Sequence, residues 1–493
     1  MSEENTNLYT AKQVQAMDHM AIHERGIPGI ELMERAGLAA FELLRKHWPD
    51  ARSIAVFCGT GNNGGDGYVI ARLAFEAGMQ VCLYQVGDHT KLKGDALSSA
   101  NQLNGSDVKR LSWKSDSKIE ADVIVDALLG TGLNGEVSDH YRDVIEAINI
   151  SSIPVLAIDI PSGLHSDNGT VLGLAVRAER TISFIGMKKG LYTGMAPDYV
   201  GELHFSGLAI PHDIYASFDA SAMAISYDSQ KSLLGPRSRI SHKGQNGHVL
   251  IIGGNHGFSG AARLAGEAAL RAGAGLVTIA TRKEHASCLN TGRPELMVHG
   301  VEQASDLAEL MDRADVLVIG PGLGQDNWAR QLFARVLESQ LPMVIDADGL
   351  NLLAQNPLQK KNWVLTPHPA EAGRLLGQST KEINADRYAA IEQLQKSYGG
   401  TVVLKGAGSL IRSAEPPTTV CTEGNPGMAT AGMGDVLSGI IASLMGQGLA
   451  QDDAAMLGVC LHASAADGAV SVEGERGLLA SDLMPWIRKR VNP

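Results

Sequence analysis

One carboxylate beside an open glycine loop sets the chemistry to look for. The stretch Asn425-Pro426-Gly427-Met428-Ala429-Thr430-Ala431-Gly432-Met433-Gly434-Asp435 leads straight into a helix-like run, Val436 to Met445. Small residues let backbone N–H groups approach an anion, and a helix N-terminus adds the positive end of its dipole. With the Gly434 backbone as anion cradle and Asp435 as base, the pair suits phosphoryl transfer to a hydroxyl. An Asp that only stabilises a helix start has no need of so open a loop. Other loops of this half could join it. Lys405-Gly406-Ala407-Gly408-Ser409 follows an apolar run and reads as a nucleotide contact or as a plain β-turn. His368 is stiffened between Pro367 and Pro369. Gly322-Leu323-Gly324 and Ser259-Gly260-Ala261 gain weight only if they share a cleft with these. Asp346 and Asp348 read equally as structural residues or as groups behind a metal.

A second glycine-rich stretch, Gly59-Thr60-Gly61-Asn62-Asn63-Gly64-Gly65-Asp66-Gly67, lies in the other half. It follows an apolar run ending at Cys58 and precedes a helical stretch from Tyr68 to Glu76. Its glycines are expected to supply positive φ and close backbone approach. Two further apolar runs end in carboxylates. Asp126 is followed by Gly130-Thr131-Gly132-Leu133-Asn134-Gly135-Glu136, and Asp159 by Pro161-Ser162-Gly163. Either Asp is a candidate for proton transfer. The oxygens of Asn63, Asp126 and Ser162 could also gather a hard cation.

The elements that must position these residues follow from the patterning. Short apolar runs (Ser53 to Cys58, Val81 to Val86, Val123 to Leu128, Val155 to Ile158, Thr181 to Ile185) alternate with helical stretches, which predicts an α/β fold on a parallel sheet. Thr10 is placed to cap a first helix and Pro28 to open a second. The pattern fades after Gly207 and restarts at Val249 to Ile252, followed by Val316 to Ile319, Met343 to Ile345, Val364-Leu365 and Val402 to Leu404. A chain of 493 residues exceeds one ordinary core. Two domains are therefore expected, 1–225 and 226–493. In open parallel sheets ligands bind at the carboxyl ends of strands, where every loop named above sits. The net charge of -12, with no basic stripe, argues against a nucleic-acid binder. The five cysteines show no C-x-x-C spacing, which fits a reducing compartment and offers no evident zinc site. The polar, acidic N-terminus and the lack of an apolar run of about 18 residues support neither a signal peptide nor a membrane span, so a cytoplasmic protein is expected.

Asn62 to Gly67, Asp126 with Gly130-Thr131-Gly132, and Asp159-Ile160-Pro161-Ser162-Gly163 together resemble the YjeF N-terminal domain over roughly residues 10 to 215. That family epimerises NAD(P)HX, the hydrate of reduced nicotinamide cofactors. The resemblance implies a Rossmann-like sheet. It also implies hydrate contacts at Asn62, Asn63, Gly64, Gly65, Asp66, Gly130 to Glu136 and Asp159, and a K+ ion near Asn63, Asp126 and Ser162. The second half is similar to the YjeF C-terminal domain, a relative of ribokinase-like kinases. The match rests on Gly253-Gly254, Gly320 to Gly324, Thr366 to Glu371, Lys405 to Gly408 and Ala431 to Asp435. Members are NAD(P)HX dehydratases. By that likeness Ala261, Gly324, His368 and Asp435 touch the hydrate. Lys405, Gly406, Ala407, Gly408, Ser409 and Gly434 touch ADP, and Mg2+ bridges its phosphates. Kinases of this kind read G-A-G-D where this chain reads Gly432-Met433-Gly434-Asp435.

The likeness implies a chemical logic. Hydroxide leaves a ring carbon poorly; phosphate leaves well, and the ring nitrogen can push it out. A kinase-type site would thus drive a dehydration, giving AMP and phosphate from ADP, while an epimerase supplies the configuration that the dehydratase accepts. A homo-oligomer is part of the same expectation. Two other readings remain at this point. One is a vitamin-type small-molecule kinase fused to a nucleotide-binding module; the other is a non-catalytic first half. An ordinary dehydrogenase is disfavoured, because neither loop combines G-x-G-x-x-G with an acidic residue about 20 positions on.

Overall fold

Apolar runs that are continuous rather than alternating form strands covered on both faces. Val123–Ala127, Val155–Ile158 and Val316–Ile319 are buried at every position. In the computed structural model the described residues are 6–114, 117–133 and 135–493, so Asn134 lies outside them. The chain divides into two units, Met1–Met223 and Ala224–Pro493, each an α/β layer structure.

In the first unit a seven-stranded sheet runs in the order Lys109–Ser112, Gln80–Gln85, Ser53–Cys58, Val123–Ala127, Val155–Ile158, Arg180–Phe184, Glu202–Ser206. Every pairing in it is parallel. Thr10 caps helix Ala11–His23 through a capping box with Gln13, and helix Gly29–His47 starts directly after Pro28. Strand Asn7–Tyr9 pairs in parallel with Met187–Lys188, setting Tyr9 opposite Lys188.

The glycine-rich stretch after Cys58 differs from expectation. Helix Asn62–Glu76 begins inside it, with Gly61 at the N-cap. None of Gly59, Gly61, Gly64, Gly65 or Gly67 adopts positive φ. They are needed for contact instead: a Cβ on Gly65 would stand 2.6 Å from Met33 Cε, and one on Gly67 2.7 Å from both Ala127 Cβ and Cys58 Sγ. The helix thereby lies against the sheet, with its N-terminal amides at the carboxyl ends of the strands.

In the second unit the strand order is Met297–Gly300, Leu276–Thr281, His248–Ile252, Val316–Ile319, Met343–Ile345, Trp363–Leu365, Thr401–Leu404, Leu410–Arg412, Thr418–Cys421. Pairing is parallel as far as Thr401–Leu404 and antiparallel beyond it. The expected parallel grammar stops there because the short turn Lys405–Ser409 cannot carry a parallel crossover. Helices Ser259–Arg271 and Met433–Gly446 cross in close contact, with Gly439 against the Ala265 backbone. Helix Gln451–Glu473 corrects the sequence count of apolar runs. It reaches a mean hydropathy of 1.4 over its best window, yet 72% of that window is buried inside its unit, as in a core helix. Its charged residues, Asp452, Asp453, Asp467 and Glu473, broke the run on paper.

The crossing yields a prediction. Alanine is the better helix former by about 1 kcal/mol, but a Cβ on Gly439 would overlap the Ala265 carbonyl oxygen. Gly439→Ala should therefore destabilise the second unit by roughly 1–3 kcal/mol, read as a lower denaturant midpoint. A raised midpoint would mean that the helices do not cross at this contact.

Candidate functional site

The carboxyl ends of the first sheet open on a cavity of about 530 Å³. Of the residues expected there, Asn62, Asn63, Asp66, Gly130, Thr131, Gly132, Leu133 and Asp159 line it. Gly64 and Gly65 stand behind its wall as packing contacts, and Gly135 and Glu136 do not line it.

Asp126 is also behind the wall. It is fully buried, and its carboxylate accepts from Ser162 Oγ (2.6 Å), Ser162 N (2.8 Å) and Leu128 N (3.3 Å). Burial pushes its carboxyl up to about 6, against the lowering effect of those hydrogen bonds. Ser162 Oγ also accepts from Leu129 N at 2.8 Å, so the pair fixes the start of the Gly130 loop. The Asn63 side chain is 8% exposed, and neither its Oδ1 nor its Nδ2 has a partner among the described residues.

Asp159 sits in the left-handed region, with φ +65°, and its N–H donates to Ile182 O. A non-glycine residue held there costs of order 1 kcal/mol and is characteristic of functional sites. Its carboxylate is ion-paired with Lys188, a residue that the sequence reading missed. Lys188 is fully buried and also donates to Ser183 Oγ (3.1 Å) and Phe184 O (3.0 Å). In the sequence it stands beside Lys189 and reads as a solvated basic pair; only its pairing opposite Tyr9 turns it inward.

In the second unit a chain of contacts gathers the expected loops. Ala261 lies in the first turn of Ser259–Arg271, and a Cβ on Gly322 would stand 3.1 Å from the Ala261 Cβ. Gly324 has φ +73° and donates its N–H to Asp348 Oδ2 at 2.8 Å. Asp346, two residues earlier, accepts from Lys405 Nζ (2.8 Å) and Ser438 Oγ (2.7 Å). The two aspartates left open by the sequence thus have separate jobs: Asp348 holds the Gly324 loop and Asp346 holds Lys405. Asp346 is 1% exposed; burial acts to raise its carboxyl, but Lys405 and its hydrogen bonds hold it below the usual range. Gly434 lies over this pair, 3.2 Å from Lys405 Nζ at its would-be Cβ. The Lys405–Ser409 turn is closed by Gly406 N donating to Ser409 Oγ, and the buried Arg387 braces the carbonyls of Leu404 and Lys405.

His368 has a role that the sequence reading did not assign. Its Nδ1 accepts from Ala370 N (3.1 Å) and Glu371 N (3.3 Å), so it caps helix Pro369–Leu376. Burial, then Lys405 and Arg374, hold the imidazole below its ordinary pKa. A neutral ring whose Nδ1 accepts carries its proton on Nε2, which can donate toward Glu371 Oε1 (3.4 Å) or a ligand. Glu371 is nearly buried and lies 3.9 Å from Lys405. Asp435 is in the first turn of Met433–Gly446, behind Gly432 at φ +92°. Burial first, then Asp346, push its carboxyl up to about 7, with Lys405 pulling the other way. A half-buried carboxylate tuned to neutrality beside an ammonium and a helix N-terminus can take a proton and steady an anion.

Two family models match this chain: the YjeF-related protein N-terminus over residues 29–190 and NAD(P)H-hydrate dehydratase over residues 249–489. The bifunctional NAD(P)H-hydrate repair enzyme Nnr of Coxiella burnetii is 50% identical over 488 residues, spanning 99% of this chain and 100% of that one. Among solved structures, a ribokinase-like superfamily protein from Enterococcus faecalis is 31% identical with a TM-score of 0.52, covering 56% of this chain and 97% of that chain. The ADP/ATP-dependent NAD(P)H-hydrate dehydratase from Bacillus subtilis, co-crystallised with ATP/Mg2+, is 30% identical with a TM-score of 0.50, covering 54% of this chain and 97% of that chain.

The buried ion pair of the first unit gives a second prediction. Lys188→Met leaves Asp159 without its counter-charge and should cost roughly 3–5 kcal/mol in urea unfolding. The double variant Lys188→Met/Asp159→Asn should recover part of that loss. A double variant as unstable as the sum of the singles would show that the pair does not interact.

Proposed function

The chain belongs to the family of bifunctional NAD(P)H-hydrate repair enzymes, and from that premise we propose how its residues divide the work. It is a metabolite-repair enzyme: an epimerase that interconverts the R and S forms of NADHX and NADPHX, and a nucleotide-dependent dehydratase that returns the S form to NAD(P)H. We assign epimerisation to residues 1–225 and dehydration to residues 226–493.

The observation that carries the dehydratase assignment is the placement of Asp435 in the first turn of Met433–Gly446, directly after Gly434, which lies over Lys405; burial, then Asp346, push its carboxyl up to about 7. As a carboxylate, Asp435 takes the proton of the ring hydroxyl. The freed oxygen attacks the terminal phosphorus of ADP and displaces AMP. The ring-nitrogen lone pair then expels phosphate, breaking the carbon–oxygen bond, and the neighbouring ring carbon loses a proton, which the departing phosphate can accept. Lys405 and the Gly434 N–H steady the transferring group, and the Lys405–Ser409 turn holds the nucleotide. His368 Nε2–H, Ala261 and Gly324 face the hydrate. Mg2+, bound together with the nucleotide, would neutralise charge on its phosphates. A simple kinase would share this base but would not call for an epimerase unit in the same chain.

In the first unit, Asp159 and Lys188 stand at the reacting ring, and Asn62, Asn63, Asp66 and Gly130 to Leu133 form the hydrate-binding wall. The partnerless Asn63 amide, together with the oxygens of Asp126 and Ser162, fits a K+ ion, an oxygen-liganded cation. Such an ion supplies fixed positive charge behind the Gly130 loop. Asp126 serves that position rather than proton transfer, since its carboxylate is enclosed by hydrogen bonds. The five free cysteines fit a cytoplasmic setting, and the family resemblance carries with it a homo-oligomer.

Two outcomes test this division. Asp435→Asn should bind nucleotide and lose dehydration. In the wild type kcat should rise about tenfold per pH unit below about 7, where Asp435 is protonated, and level off above it. Full activity in the variant, or a flat profile, removes the base. Asp159→Ala should abolish R-to-S conversion while dehydration of supplied S hydrate continues; unchanged epimerisation would return the first unit to a binding module.

A further inference from the structure

Among the described residues, two clusters outside the sites above bring three metal-ligating side chains within 4.8 Å of one another. His47, Glu202 and His204 form one, but Arg180 is ion-paired with Glu202 and stands 3.3 Å from His204 Nε2. That guanidinium already supplies the positive charge and repels a second cation. Cys421, Glu423 and Cys460 form the other. No salt bridge reaches Glu423 among the described residues. Arg490, in the same region, is engaged elsewhere: it lies over the Tyr227 ring, 5.2 Å from its centroid, and donates to Ser464 O.

The local structure explains how the three side chains meet. Cys421 ends strand Thr418–Cys421, and Glu423 follows two residues on, so an extended chain turns both to one side. Cys460 comes to them from the middle of helix Gln451–Glu473. Cys421 is 1% exposed and Cys460 is fully buried, whereas Glu423 is only partly covered and leaves a way in from solvent. Glu423 Oε2 accepts from Tyr227 N at 2.6 Å, which fixes the carboxylate beside the sulfurs. Cys421 Sγ lies 3.8 Å from the Glu423 carbonyl oxygen.

We propose that Cys421, Glu423 and Cys460 bind a thiophilic divalent cation of the zinc type. Two sulfurs and a carboxylate oxygen are three of the four ligands of a tetrahedral Zn2+ site, and Glu423 O or a water supplies the fourth. Bonds of about 2.3 Å to sulfur and about 2.1 Å to oxygen set neighbouring sulfur and oxygen atoms roughly 3.6 Å apart in such a site. The distance from Cys421 Sγ to Glu423 O is close to that edge. Binding breaks both S–H bonds: each electron pair goes to the metal and each proton to solvent, with no change of oxidation state. Thiolates select zinc over Mg2+, so the site does not compete for the ion that accompanies the nucleotide. A disulfide between the same cysteines uses the sulfurs alone and gives no part to a carboxylate fixed beside them. The bound ion ties strand to helix at the root of the loop that leads to Asp435. Asp467, on the same helix, already holds that root through Gly424 N (3.0 Å) and Asn425 Nδ2 (2.7 Å). The cysteines lie far apart in sequence, which is why no zinc spacing is visible there.

The test uses the full-length protein, reduced, stripped with a chelator, freed of it and titrated without oxygen. Co2+ alone is added as a spectroscopic stand-in for Zn2+. A thiolate-to-cobalt charge-transfer band should grow to one equivalent and vanish when Zn2+ displaces the cobalt. Cys421→Ser and Cys460→Ser should each lose most of that band. Glu423→Gln should weaken Zn2+ binding roughly tenfold or more. Cys288→Ser, which alters an exposed thiol, should change nothing. X-ray absorption on the Zn2+-loaded wild type decides even where the serine variants do not fold. It should show two sulfur neighbours at about 2.3 Å, and Cys421 with Cys460 is the cysteine pair that the fold brings together. Metal held without sulfur neighbours, or a band that survives in both folded serine variants, overturns the proposal. So does a reduced protein that takes up no Co2+ or Zn2+ and forms only a Cys421–Cys460 disulfide on oxidation.

Discussion

The ammonium of Lys405 is the charge around which the second unit's chemistry is arranged. It bridges toward Asp346 at 2.8 Å and Glu371 at 3.9 Å, and it partly offsets the upward push on Asp435. Coulombic attraction between such groups is several-fold stronger here than in water, but so is the penalty for leaving any of them alone. Asp346 is the anchor: nearly buried, held as a carboxylate by Lys405 and Ser438, and placed by the end of strand Met343–Ile345. Burial first, then the repulsion of Asp346, push the Asp435 carboxyl up to about 7, and Lys405 holds it from rising further. A base of that strength can both accept a proton and let it go at physiological pH.

The first unit uses the same device with a different balance. Among the described residues its one buried ammonium, Lys188, is committed to Asp159, and three further aspartates, Asp18, Asp66 and Asp95, line the cavity without a cation of their own. On the proposed division of work, one site offers an ammonium and backbone N–H groups to the transferring phosphoryl group, while the other sets one ammonium among several carboxyl groups. The difference follows from where each lysine lies relative to its carboxylates, since both sites sit at the carboxyl ends of parallel strands.

Much of this arrangement could be read from the chain. Val155–Ile158, Val316–Ile319 and Met343–Ile345 are continuous apolar runs because both of their faces are covered, and the polar or glycine-rich loop ending each run marks the ligand side. Asp159, Asp346 and Lys405 were visible for that reason, and Asp435 from the open glycine loop that runs into its helix. What stayed hidden depends on contacts far apart in sequence. Lys188 turns inward only because its strand pairs with Asn7–Tyr9, and Asp18 lies on a helix whose pattern is dominated by the buried Val14, Met17 and Ala21. The glycines from Gly59 to Gly67 advertised backbone freedom but serve close packing, a distinction that composition cannot make. The capping role of His368 was legible in principle, since Glu371 follows three residues later, as a capping box requires.

The central claim is that phosphate, rather than hydroxide, leaves the ring. S hydrate labelled with oxygen-18 at the ring hydroxyl, turned over with ADP and Mg2+ by the Asp159→Ala variant so that epimerisation cannot exchange the label, tests it directly. Phosphoryl transfer to that hydroxyl requires the label to appear in the inorganic phosphate released. Label recovered in water, with unlabelled phosphate, would contradict the account.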